Sequence, residues 1–70
     1  MDRVSVESSQ LRSVGYEPTA QILEVEFSKG SIYQYVDVPI GVYEELIGAE
    51  SVGKAFSKLV KSQGYVFKKL

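Results

Sequence analysis

Seventy residues without a cysteine or a histidine make one small domain spanning 1–70, with a core barely large enough to fold unaided and no disulfide or thiolate zinc site to staple it. An apolar share of 44% with two prolines excludes a disordered chain, and the absence of a signal-type apolar run or a membrane-length stretch leads to the expectation of a cytoplasmic protein. A net charge of −1 and a pI near 5.3 argue against bulk attraction to nucleic acid.

In chain order, Met1 to Glu7 alternates charged and apolar residues, and Leu11 to Tyr16 reads as a first strand. Glu17-Pro18-Thr19-Ala20 is a turn, because proline fixes φ and cannot donate to a ladder. Gln21 to Phe27 then alternates, with Leu23, Val25 and Phe27 on one face and Glu24 and Glu26 on the other, the pattern of a strand covered on one side. Ser28-Lys29-Gly30 reverses the chain, and Ser31 to Val38 returns as a third strand rich in β-branched and aromatic residues.

The hairpin register decides where the tyrosines point. A two-residue Lys29-Gly30 loop pairs Phe27 with Ile32 and puts Tyr33 and Tyr35 beside Glu26 and Glu24. A three-residue loop with Gly30 left-handed pairs Phe27 with Ser31, and sets Tyr33 across from Val25 and Tyr35 across from Leu23. One residue of slip moves every side chain to the opposite face. The three-residue loop is preferred, because it places Gln34 opposite Glu24 and gathers the bulky residues. Both tyrosine rings are then expected to be buried against the helices, leaving Ile32 and Val36 outside.

After the strands the spacing becomes helical. Pro39 suits a first helical turn, and Val42, Tyr43, Leu46 and Ile47 recur on one face while Glu44 and Glu45 point out. Ser51 is a cap for a second helix, on which Val52, Phe56, Leu59 and Val60 form an apolar stripe. Lys54, Lys58 and Lys61 stand at i, i+4 and i+7 close to the opposite side. Gly64 ends this helix, and Tyr65-Val66-Phe67 is an extended tail able to add to the sheet.

Catalytic templates lack parts. Gly48-Ala49-Glu50-Ser51-Val52-Gly53-Lys54-Ala55 follows the phosphate-loop spacing until Ala55, which replaces the hydroxyl that would hold magnesium. It also follows a helix where a strand is required, so it reads as a helix–helix corner. Without histidine or cysteine, the usual general base, thiolate nucleophile and nitrogen metal ligand are missing. Glu24 and Glu26 share a strand face, where they read as solubilising residues with no apolar pocket to raise a pKa. No Asp-rich calcium loop is visible. A non-enzymatic protein without cofactor or metal is expected.

Two features remain for binding. Tyr33 and Tyr35 form an i, i+2 aromatic pair on a strand, the spacing at which single-stranded RNA readers place stacking rings; the competing reading has both rings filling the core. Residues 51–70 hold five lysines and no acid, leaving residues 1–50 with 3 basic and 9 acidic side chains, or −6. Lys54, Lys58 and Lys61 could track a phosphate backbone, or be the solvated side of an amphipathic helix.

Taken in order, Ser8-Ser9, Val14-Gly15-Tyr16, Leu23-x-Val25-x-Phe27, Gly30-x-x-Tyr33-x-Tyr35, Val38-Pro39, Ala49-x-Ser51-x-Gly53 and Phe56 resemble the KTSC domain. That family takes its name from the C-terminus of some lysyl-tRNA synthetases and also occurs alone in small bacterial proteins. The resemblance spans about residues 6–67. Ala55 stands where an aromatic residue is expected and Ser57 where asparagine is common, two departures from the family's pattern. The resemblance implies a small binding module, with RNA suggested by the association with a synthetase.

The expected fold is α+β: a three-stranded antiparallel meander followed by two short helices packed on one face, with a short C-terminal strand as a possible addition. The expected function is weak, sequence-tolerant RNA binding through Lys54, Lys58 and Lys61 with Tyr33 and Tyr35 in support. The alternative is a protein-interaction or self-association module presenting an exposed strand or the Ile32/Val36 surface. The expected assembly is a monomer or a weak dimer.

Overall fold

A computed structural model describes residues 2–70. The chain forms strands β1 (Arg3–Ser5), β2 (Leu11–Glu17), β3 (Ile22–Phe27) and β4 (Ile32–Tyr35), helices α1 (Ile40–Ile47) and α2 (Val52–Leu59), a 3-10 turn (Lys61–Gln63) and strand β5 (Phe67–Lys69). All five strands lie in one antiparallel sheet in the order β1-β2-β3-β4-β5. The α+β class and the two helices are as expected, but the sheet has five strands and not three. Of the two added strands, β5 is the short C-terminal strand allowed for by the sequence, whereas β1 is unexpected, its three residues being too few for an alternating pattern to show. The C-terminal strand also begins at Phe67, two residues later than the tail expected from Tyr65.

The central hairpin takes the three-residue loop. The Phe27 amide donates to the Ser31 carbonyl at 2.8 Å and the Gly30 amide to the Phe27 carbonyl at 2.9 Å. Gly30 takes a φ of +95°, which a side chain would resist. Leu23 pairs with Tyr35, Glu24 with Gln34 and Val25 with Tyr33. Strand β4, expected to run to Val38, stops at Tyr35, because Asp37 turns left-handed with φ +57°.

Because paired residues share a face, the register sorts the whole sheet. Val14, Val25 and Tyr33 line one row of the inner face, and Tyr16, Leu23, Tyr35 and Phe67 the next. The helices cover this face. Leu11, Val14, Leu23, Val25, Val38, Leu46, Val52, Phe56 and Val60 close the core with Tyr35. Ser51 caps α2, its hydroxyl accepting from the Lys54 amide. Ile47 departs from expectation: it lies at the open end of α1, 41% exposed, while Leu46 is fully buried.

The outer face carries the polar row Arg3–Gly15–Glu24–Gln34–Lys68. Glu24, expected on a wet face, is buried, because β1 brings Arg3 over it. Arg3 pairs with its carboxylate, and Gln34 Nε2 donates to the same group at 2.8 Å. Ser13 links Arg3 Nε to Glu26, with both contacts at 3.0 Å. Among the described residues no helix is long and apolar enough to cross a membrane.

Candidate functional site: an aromatic groove with lysines at its rim

The sheet's inner face is not fully covered. Between the Ser28–Gly30 turn, β4, the end of α2 and β5 there is a groove of about 720 Å³, within the range of small-molecule sites. Its floor is built by the register: Phe27, Tyr33 and Tyr35 come from adjacent strands, Phe56 from α2 and Phe67 from β5. The Phe27 ring meets those of Tyr33 and Phe56 edge-on at 5.3 and 5.5 Å. Phe67 lies 5.6 Å from Tyr33 and 5.3 Å from Tyr35. Such centroid distances are those of favourable aromatic pairs.

The two tyrosines differ. Tyr35 is buried at 7% exposure, and stands edge-on to Phe56 at 5.7 Å. Burial, and then the neighbouring Tyr33 phenol, push its hydroxyl above the ordinary value, so it stays neutral. Tyr33 is only half-buried, against the expectation that both rings are core. It stands two residues nearer the Ser28–Gly30 turn and lines the open groove. Phe67 is 55% exposed. The groove thus offers Tyr33 and Phe67 to a ligand, with Tyr35 as their support.

The lysine row is divided between different parts of the surface. The helix ends at Leu59, since Val60 takes φ −121° and ψ −60°. The Ser62 hydroxyl and the Gln63 side-chain amide donate to the Lys58 carbonyl at 2.8 and 3.3 Å, drawing the chain into the 3-10 turn. Lys61 therefore lies in that turn and lines the groove. Lys54 instead borders a second hollow of about 270 Å³ beside Glu7, Glu50 and Gly53. Lys58 is exposed and lines neither.

Lys29 and Phe67 line the groove and are missed by sequence reasoning. The three-residue loop already places Lys29 one turn from Tyr33. Phe67 is signalled only by its alternation with Tyr65. Gln10 and Ser57 add polar groups to the rim.

Several motif residues have structural roles away from the groove. The Ser8 hydroxyl accepts from the Gln10 and Leu11 amides at 3.2 and 3.4 Å. A Cβ on Gly53 would stand 3.0 Å from that hydroxyl oxygen, so the pair fixes α2 against the approach to β2. The Tyr16 hydroxyl donates to the Val38 carbonyl, and its ring stacks on Tyr43 at 5.4 Å. Glu24 is not placed for acid–base work. Burial alone would raise its pKa, but hydrogen bonds from Gln34 and Arg3 and the guanidinium charge hold it below the ordinary value.

These features define a small α+β module with one aromatic groove and a basic rim. The KTSC domain model matches residues 7–65, and the chain belongs to that family. It is similar over 99% of its length to the crystal structure of a KTSC domain protein from Yersinia pestis, with 33% identity, a TM-score of 0.90 and 96% of that chain covered. An uncharacterised protein of Stutzerimonas stutzeri is 51% identical over 65 residues, 93% of this chain and 92% of that one. A lysine–tRNA ligase of Nostoc is 49% identical over 57 residues, covering 81% of this chain and 10% of the ligase.

Proposed function

We propose that the protein is a non-enzymatic binding module that takes single-stranded RNA in the aromatic groove. The observation that carries this reading is the meeting of half-buried Tyr33 and exposed Phe67 with Lys29 and Lys61 in one concave site. Stacking on aromatic rings tolerates any base, since every base has a π-face, and lysines beside the rings hold phosphates without reading sequence. Few lysines border the groove, so binding is weak and sequence-tolerant. The similarity to a segment of a lysine–tRNA ligase supports RNA over other polyanions.

Titration of a short single-stranded RNA at two salt concentrations tests this. Affinity should fall with salt, with a log–log slope of about −0.7 for each phosphate neutralised. No binding at low salt with near-millimolar RNA would end the nucleic-acid reading.

A further inference from the structure

The Phe67 ring lines the groove proposed above for RNA, but the backbone edge of β5 has no part in that reading and has the features of a peptide site. The Val36 amide donates to the Val66 carbonyl at 2.9 Å and the Leu70 amide to the Ile32 carbonyl at 2.8 Å. Lys68 pairs with Gln34 between them. Antiparallel ladders alternate, so residues 66, 68 and 70 turn their backbone groups to β4. Phe67 and Lys69 turn theirs, two N–H and two C=O groups, to the open edge. All three β5 residues are exposed.

The side chains say which strand fits this edge. Lys68 faces Gln34 on the outer face and Lys69 faces Tyr33 on the inner one. Among the described residues the ion pairs are Arg3–Glu24 and Arg12–Glu26, so neither lysine is neutralised. Val66 and Leu70 flank them and are 71% and 60% exposed. In the fully overlapping antiparallel register a second copy of β5 would set Lys68 opposite Lys68, and like charges across a ladder repel. The other edge, β1, differs, since its Arg3 is already paired with Glu24.

We infer that β5 accepts an acidic extended peptide as an added antiparallel strand. Read along the partner from the position opposite Leu70 to that opposite Val66, the matching order is apolar, acid, acid, apolar, apolar. The backbone edge supplies affinity, and the two carboxylates opposite Lys68 and Lys69 supply selection, as in other strand-addition complexes.

The test uses a short peptide of the order Val-Glu-Glu-Val-Val and an isomer with the glutamates moved to its ends. The first should bind more tightly than its isomer and than a lysine version. Lys69→Gln and Lys69→Pro remove the same charge, but only proline removes an outward N–H, at an edge position where it is tolerated. Loss of that hydrogen bond should weaken binding about fivefold beyond the Lys69→Gln variant. In the unmodified protein, saturating peptide should slow amide exchange at Phe67 and Lys69 and leave Val66 and Lys68 unchanged. Unaltered exchange at Phe67 and Lys69, or no binding at millimolar peptide, overturns the proposal. So does equal binding by the two lysine variants with displacement of the peptide by RNA, which would assign the lysines to phosphates.

Discussion

Arg3 lies across Gly15, and the missing side chain at Gly15 is what lets the guanidinium reach Glu24. The three residues stand in one row across β1, β2 and β3. A Cβ on Gly15 would lie 2.6 Å from the Asp2 carbonyl oxygen and 2.9 Å from Arg3 Cγ. Both contacts are too close for any real Cβ, and the nearer one is to backbone. The family-type glycine in Val14-Gly15-Tyr16 is thus explained by the strand beside it, not by a turn. It makes possible a buried carboxylate that is paired and hydrogen-bonded, the condition under which a charge is tolerated away from water.

Replacing Gly15 with alanine should therefore push β1 outward and weaken the Arg3–Glu24 pair. Overpacking of this kind costs about 1–3 kcal/mol. Urea unfolding of the variant beside the unmodified protein measures it. A difference within about 0.5 kcal/mol, ordinary for a surface site, would mean that β1 is free to move aside.

The same pair fixes a pH dependence. Glu24 has its pKa lowered in the folded protein from an ordinary value of 4.5. Its contribution is therefore fully present above that value, and is lost as pH falls through the folded-state pKa. Thermal midpoints followed from neutral to acid pH should drop on this limb. Glu24→Gln should be less stable at neutral pH and show a shallower acid decline. An unchanged decline would assign the acid limb to other carboxylates.

The tyrosines should separate in a stability measurement. Tyr35 is packed between Phe56 and Phe67 and almost closed to solvent, so Tyr35→Ala should cost about 3–5 kcal/mol, as for large aromatic truncations in cores. Tyr33 is half-buried at the groove, and Tyr33→Ala should cost clearly less. Equal losses in denaturant unfolding would place Tyr33 in the core too, and remove it as a ligand surface.

The central hairpin is legible in the sequence because alternation, loop length and Gly30 all favour one register. The caps and stripes of the helices are legible for the same reason: Ser51 and Phe56 fit one period. β1 is not, since three residues carry no period, and without β1 the burial of Glu24 cannot be foreseen. Alternation says that Glu24 faces away from the core, but not that another strand brings an arginine over it. At the site, Tyr33 and Lys61 are both visible, but the row through Lys54, Lys58 and Lys61 supposes a helix that continues past Leu59. Local side-chain hydrogen bonds to the Lys58 carbonyl compete with the helical ladder there, and periodicity cannot report that competition.

This break in the helix makes the lysines distinguishable in a binding experiment. Lys29 and Lys61 line the groove, Lys54 borders the hollow near Glu50, and Lys58 is at neither place. If RNA lies in the groove, Lys29→Gln with Lys61→Gln should lower affinity and reduce the salt slope by about 0.7 for each lysine. Lys54→Gln should leave both unchanged. All three side chains are exposed, so unfolding free energies should stay within about 0.5 kcal/mol of the unmodified protein. Titration of each variant with the same short single-stranded RNA at two salt concentrations reads this directly. If Lys54→Gln costs as much as Lys61→Gln, the nucleic acid runs along the outer side of α2, and the aromatic groove is not its site.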